Sequence, residues 1–307
     1  MTSALTRSTL LGLAGASLLA GRAGAQSGAQ TGVRMHQRKI PSSGEMLPVV
    51  GVGTWRTFDA GGKPEDRAPL AEVLRLLFEA GGSVIDTSPM YGSAEAVIGD
   101  LLAAVGTRAK AFIATKVWTT GRDNGIAQMR NSMRLLKTDR IDLMQIHNLV
   151  DWRAHLPTLK AWKAEGRLRY LGVTHYTQSA HDELESVMRA EKWDFVQLNY
   201  ALDDRAVERR LLPLAQERGI AVIVNQPFGG GGLLRKLMAR KLPDWAGEIG
   251  ATSWAQLLLK FVLAHPAVTC VIPGTGKPGH MKDNLQAGFG AYPDAALLKR
   301  MAAEIAV

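Results

Sequence analysis

Four residues with ionisable or hydrogen-bonding side chains stand at, or just beyond, the ends of short apolar runs: Asp86, Tyr91, Lys116 and His147. Val84-Ile85-Asp86, Ile113-Ala114-Thr115-Lys116 and Leu143-Met144-Gln145-Ile146-His147 read as successive buried strands, each finishing on such a group. Tyr91 follows the first of them closely enough for its loop to fold back over all three. Free tyrosine titrates at about 10, too high to give up a proton readily at neutral pH, and an adjacent ammonium lowers that value. A carboxylate would hold the lysine charged and oriented, and an imidazole could hydrogen-bond a substrate oxygen. The chemistry expected is proton donation to a polarised oxygen. Taken singly, each residue fits a cap or an ion pair equally well; it is the four together that form a chemical unit.

Such a unit needs elements that bring consecutive strand ends side by side. Eight apolar runs recur along the chain: Val49 to Gly53, Ser83 to Asp86, Ala111 to Lys116, Ile141 to His147, Leu171 to Thr174, Phe195 to Asn199, Ala221 to Val224 and Val268 to Ile272. Helical patterns lie between or after them at Ala68 to Glu79, Ala94 to Ala104, Ile126 to Leu136, Leu156 to Lys163, His181 to Arg189, Val207 to Arg218, Trp254 to Ala264 and Asp294 to Glu304. Helices between consecutive strands imply parallel pairing. The first strand-to-helix turn, Gly51-Val52-Gly53-Thr54-Trp55, lacks a third glycine and a helix directly behind it, which argues against an open dinucleotide-binding sheet. The fold expected is α/β, a (β/α)8 TIM barrel, where the loops after the strands build the active site and neighbouring strands lie about 4.8 Å apart. Met35 to Ile40 and Met46 to Val50, flanking Pro41-Ser42-Ser43-Gly44, suggest an N-terminal β-hairpin over the barrel bottom.

Residues 1–25 differ from the rest. Arg7 precedes an apolar stretch from Leu10 to Ala20, then Arg22 and Ala23-Gly24-Ala25, the order of a signal peptide cut before Gln26. That stretch is too short for a stable membrane span. Residues 26–34 read as a flexible segment and 35–307 as the barrel. A periplasmic or secreted location is therefore expected, or a cytoplasmic one if the leader is not used. The n-region, Thr6-Arg7-Ser8-Thr9, has one arginine where a twin-arginine signal has two. Lysines and arginines number 37 against 28 acidic residues, a formal charge of +9, but they scatter over helix faces, as in Arg205, Arg209, Arg210 and Arg218. No nucleic-acid partner is expected from that distribution, and a monomer is. Cys270, the only cysteine, sits in an apolar run and reads as a buried thiol.

Val84-Ile85-Asp86-Thr87-Ser88-Pro89-Met90-Tyr91-Gly92, followed by Glu95 and Gly99, resembles the Asp and Tyr segment of the aldo-keto reductases. Ile113 to Trp118 and Leu143 to Asn148 match the family's Lys and His segments, and the likeness runs from about Val49 to Asn284. The resemblance implies a catalytic set of Asp86, Tyr91, Lys116 and His147, with hydride passing from a reduced nicotinamide to a carbonyl carbon while Tyr91 protonates the oxygen.

It also implies a cofactor site in the later half, together with the Gly53-Thr54 turn and Asp86. Gly172-Val173-Thr174-His175-Tyr176 is similar to the segment whose Ser and Asn hold the nicotinamide carboxamide, with Thr174 and His175 substituted; Gln197 matches the third contact. Asn225-Gln226-Pro227-Phe228 falls where relatives place an aromatic on the nicotinamide, and Asn225 cannot stack, so either another ring, Phe228 or Trp55, supports the cofactor or the nicotinamide is held less firmly. Gly229 to Gly232, with Gly230 inside it, suits a loop whose bare backbone approaches a pyrophosphate. Ile272 to Asn284 resembles the segment that clasps the adenosine end, keeping Thr275 and Asn284 in type. Gly274 and His280 replace the usual Lys and Arg, leaving Lys277, Lys282 or protonated His280 to meet a 2′-phosphate. The cofactor expected is NADPH, with NADH possible, and the substrate a small carbonyl compound. The last helical pattern ends close to Val307, so a shallow, permissive pocket is expected. H-E-x-x-H, C-x-x-C and G-x-S-x-G do not occur, so no metal or nucleophile-based hydrolysis is expected. The alternative reading is a non-catalytic barrel that binds or senses the nucleotide.

Overall fold

Alternating β-rich and amphipathic stretches become, in a computed structural model describing residues 34–305, a ring of parallel strands inside a ring of helices. The residues called signal peptide, 1–25, and all but the last of the flexible segment lie outside the described residues. The chain enters through β1 (Gln37–Lys39) and β2 (Met46–Pro48), an antiparallel hairpin with Arg38 opposite Leu47. The barrel strands follow: β3 (Val52–Gly53), β4 (Val84–Asp86), β5 (Phe112–Val117), β6 (Ile141–His147), β7 (Leu168–His175), β8 (Phe195–Asn199), β9 (Ala221–Asn225) and β10 (Val268–Val271). Each pairs in parallel with the next, and parallel bridges Val50 to Val271 and Gly53 to Gly274 close the ring between its ends. The expected barrel and its hairpin are both observed.

The crossovers are α1 (Pro64–Glu79), α2 (Ala94–Ala104), α3 (Arg122–Leu135), α4 (Trp152–Ala164), α5 (His181–Ala190), α6 (Leu211–Arg218), α7 (Gly232–Met238) and α8 (Trp254–Ala264), with α9 (Pro278–Leu285) and α10 (Ala295–Ile305) after β10. One predicted helix is broken. Val207 to Arg218 splits into a 3-10 turn, Ala206–Arg209, and α6, because Pro213 has no N–H to give and its ring crowds the carbonyl four residues earlier. Two short helices, α7 and α9, were not expected. Each spans about two turns and opens on glycine or proline, so neither leaves a long apolar period in the sequence.

Alternation along the strands sorts the side chains. Val84, Phe112, Ala114, Leu143, Tyr170, Phe195, Ile223 and Cys270 fill the lumen as one buried cluster, while Ile85, Ile113, Ile146, Val196 and Val224 face the helices. Continuing the inner row toward the strand ends brings Asp86, Lys116, His147, Thr174, Gln197 and Asn225 to the same rim. The hairpin plugs the other end. Ile40 and Leu47 join the lumen cluster, and Arg38 donates to the carbonyls of Leu263, His265 (2.8 Å) and Val268 around the end of α8.

Candidate active site

Asp86 is the hub of the rim. Its Oδ2 accepts from Lys116 Nζ at 2.8 Å, and its Oδ1 accepts from Gln197 Nε2 at 2.7 Å and Gln145 Nε2 at 3.2 Å. Lys116 is fully buried and donates again to the Thr87 carbonyl at 2.7 Å. Burial alone would discharge this lysine; the Asp86 carboxylate, with the Tyr91 phenol beside it, outweighs burial and holds its pKa above the ordinary value. A buried ammonium so paired stays charged beside whatever occupies the rim.

Tyr91 is delivered by a tight loop. Its N–H donates to the Ser88 carbonyl, and Gly92 turns the chain at φ 60°. Ser93 then anchors the loop through its N–H and hydroxyl, both 2.9 Å from Asp59 Oδ1. A Cβ on Gly92 would lie 2.3 Å from that carboxylate, so glycine is needed for space as well as for φ. The phenol ring meets the Lys116 ammonium at 5.0 Å and stands edge-on to His147, with ring centroids 6.2 Å apart. The Lys116 ammonium lowers the tyrosine's pKa as expected, but the net lowering expected from it does not occur. Burial raises it more than Lys116 lowers it, and Asp86 adds to the rise. The phenol therefore holds its proton throughout the neutral range.

His147 is buried, and its pKa is pushed down to about 3 by burial first, then by the charge of Lys116 and by His175. It is a neutral imidazole. Ser88 Oγ lies 3.2 Å from Nδ1; when that hydroxyl donates, the ring proton is on Nε2, which can then donate to a substrate oxygen. Trp118 flanks the same imidazole at 6.4 Å between centroids and is 41% exposed, so it forms an apolar wall to the mouth. Its backbone is clasped in both directions by the Gln128 amide.

The predicted cofactor residues fall on the opposite arc and beyond. Thr54, buried, donates its N–H and hydroxyl to the Asp86 carbonyl, and Gly53 bridges Gly274. Thr174 is buried on the inner row. His175 is half-buried, accepts at Nδ1 from Thr177 and stacks on Tyr176 at 5.8 Å. Gln197 is turned into the Asp86 network and receives Asn225 Nδ2 on its Oε1 at 3.3 Å. Gln226, at φ 49°, opens a turn through Pro227 and Phe228 into Gly229, Gly230 and Gly231, all left-handed, with Arg235 Nη1 3.1 Å from where a Gly231 Cβ would stand. Phe228 packs against the core, whereas Trp55 is half-exposed with Arg56 over its ring at 4.3 Å. At α9, Thr275 Oγ1 accepts from the Lys277 N–H, Asn284 is buried, and Lys277, His280 and Lys282 are exposed at the helix start and outer face. Glycines in the turn, cations around it and an unpartnered buried carbonyl oxygen on Asn225 suit a dinucleotide that brings phosphates and an amide.

Gln145, Ser88, Asp59 and Arg235 escaped the sequence reading. Gln145 shares the inner row with His147, two residues away, and that spacing was its only signal. Among the described residues no three His, Cys, Asp or Glu side chains gather as a metal site, and no helix is long and apolar enough to cross a membrane. A separate concavity of about 530 Å³ opens beside Arg38, Lys39 and Thr269 at the plugged end, away from the ionisable set.

A family model described as the Aldo/keto reductase family matches residues 49–297. Methylglyoxal reductase YeaE of Escherichia coli (strain K12) is 31% identical over 258 residues, covering 81% of this chain and 89% of that protein. An aldo-keto reductase of Klebsiella pneumoniae solved in complex with NADPH is similar with a TM-score of 0.74 and 25% identity, over 89% of this chain and 95% of that one. Another from the same organism, solved with NADP and acetate, gives 0.72 and 26%, over 85% and 93%.

Proposed function

The chain belongs to the aldo/keto reductase family, and from that premise we propose that it reduces aldehyde and ketone carbonyls to alcohols with NADPH, Tyr91 giving the proton. The observation that carries this reading is the joined set at the rim: a protonated phenol, a buried ammonium under its ring and a neutral imidazole beside it. When bound, the reduced nicotinamide supplies a hydride to the carbonyl carbon. The chain's residues do the rest. His147 donates a hydrogen bond to the carbonyl oxygen and orients it toward Tyr91. As negative charge grows on that oxygen, the phenol hands over its proton, and the Lys116 ammonium stabilises the phenolate left behind. Asp86 keeps Lys116 in place and, through Gln145 and Gln197, ties two further strands to the same point.

The Klebsiella relatives carry NADPH or NADP, and the exposed Lys277, His280, Lys282 and Arg235 favour the phosphorylated dinucleotide here. The test follows loss of the reduced nicotinamide's near-ultraviolet absorbance with aldehydes, dicarbonyls and quinones. Wild type turns over; Tyr91→Phe binds NADPH normally and loses roughly 10²- to 10⁴-fold in kcat. Tight NADPH binding by a wild type that reduces none of these carbonyls would favour the nucleotide-sensing alternative.

Export is part of the proposal. The charge, apolar block and Ala23-Gly24-Ala25 order of residues 1–25 support it, and cofactor loading before translocation would meet the shortage of reduced dinucleotide outside the cytoplasm. Cell fractionation with the mass of the purified protein tests it: full-length chain confined to the cytosol overturns export.

A further inference from the structure

Asn225 ends β9 on the inner row, where its amide is oriented by a chain of neighbours. The Asp86 carboxylate can only accept, so Gln197 must present Nε2 to it, at 2.7 Å. That leaves Gln197 Oε1, which can only accept in turn, facing Asn225; Asn225 therefore presents Nδ2, at 3.3 Å. The remaining atom, Asn225 Oδ1, is buried and has no partner. In register beside it on β8, Asn199 aims its Nδ2 at Asp204 and carries a second unpartnered Oδ1, so its amide is not hydrogen-bonded to Asn225. A buried carbonyl oxygen left in this state is costly, and a built site normally satisfies it.

We infer that Asn225 Oδ1 accepts a hydrogen bond from the carboxamide N–H2 of the nicotinamide, fixing the ring by a directional bond in place of an aromatic stack. The inference rests on the proposed NADPH site. A substrate carbonyl cannot satisfy Asn225 Oδ1: it brings only an acceptor, and that oxygen belongs to Tyr91 and His147 on the β4 to β6 arc. The donor must come from whatever lies between that oxygen and β8 and β9, and a primary carboxamide brings two N–H bonds. The same bond links the cofactor, through Asn225 and Gln197, to the carboxylate that holds Lys116.

The test measures Kd by quenching of intrinsic tryptophan fluorescence, using the full chain, with NADP⁺ and two analogues. The 3-acetylpyridine analogue replaces the N–H2 by methyl; the thionicotinamide analogue keeps it. Wild type should bind NADP⁺ and the thionicotinamide form within about threefold of each other and the acetylpyridine form about tenfold more weakly, the usual worth of one hydrogen bond. Asn225→Leu keeps the side chain's shape without its polar atoms, and Asn225→Ala serves if the larger residue unsettles the sheet. Either should bind NADP⁺ about tenfold more weakly and lose the discrimination. Equal affinity of wild type for all three ligands overturns the inference, and so does tenfold discrimination retained by the variants. If wild type binds none of the three, the NADPH reading itself fails, which is a different result.

Discussion

His147 is held neutral by its surroundings, and that has a cost that depends on pH. Its folded-state pKa, about 3, lies below the ordinary 6.5. As pH falls through 6.5 the unfolded chain takes up a proton that the folded imidazole refuses. Stability from this group is thus fully present above about 6.5 and is lost progressively toward 3, by up to about 1.4 kcal/mol per pH unit. Chemical denaturation at about pH 6.5 and again at about pH 5 should show wild type losing roughly 2 kcal/mol more than His147→Gln over that interval. Equal losses would mean that the imidazole is not desolvated as described. Asp86, Lys116 and His147 were legible because each is the last inward residue of an apolar run, and Tyr91 because its loop is short. The direction of the tyrosine's pKa was not legible. It is set by how deeply the phenol lies beneath its loop, a property of packing that residue order does not carry. Nor were the partners of Asp86, since an amide two residues from a histidine becomes a ligand only once strand parity is known.

Among the elements, the β4 to α2 loop does the positioning. Three features fix it: the Ser88 turn, the left-handed Gly92 and the Asp59 carboxylate under Ser93, whose two hydrogen bonds also hold that carboxyl below its usual range. Gly92→Ala should strain φ and push a methyl into Asp59. The expected outcome is a fall in kcat of about tenfold or more, with NADPH affinity within about twofold of wild type, because the loop orients the proton donor and not the dinucleotide. Steady-state kinetics with a fluorescence titration would check it, and an unchanged kcat would mean that Tyr91 is positioned by its packing alone. Asp59 shows no sequence signal for this role; it comes from a different loop and reaches Ser93 only when β3 and β4 pair. Six barrel strands were read to within one residue at each end, whereas β3 starts three residues later and β7 three residues earlier than expected. Helix starts were read late, as at Arg122 and Trp152, because the first turns lack the apolar period that identifies the rest.

At the scale of the molecule, the barrel is a closed ring with one end plugged and the other chemically equipped. Many of the basic residues behind the formal charge of +9 lie in surface ion pairs, such as Arg210 with Asp182 and Glu185, and Arg189 with Glu185. The plug has a further consequence for the lumen. Cys270 lies fully buried inside it, and burial pushes its thiol well above the ordinary range, so neither a reagent nor a base finds it while the ring is shut. Because it is the chain's one cysteine, a thiol-reactive dye has a single address, reachable only after strands part. Native protein should therefore label at a rate that is independent of dye concentration once dye is abundant, and that rate should equal the unfolding rate followed by tryptophan fluorescence in mild denaturant. Faster labelling would reveal a local breach of the ring, and matched rates make the thiol a clock for the opening of the whole barrel.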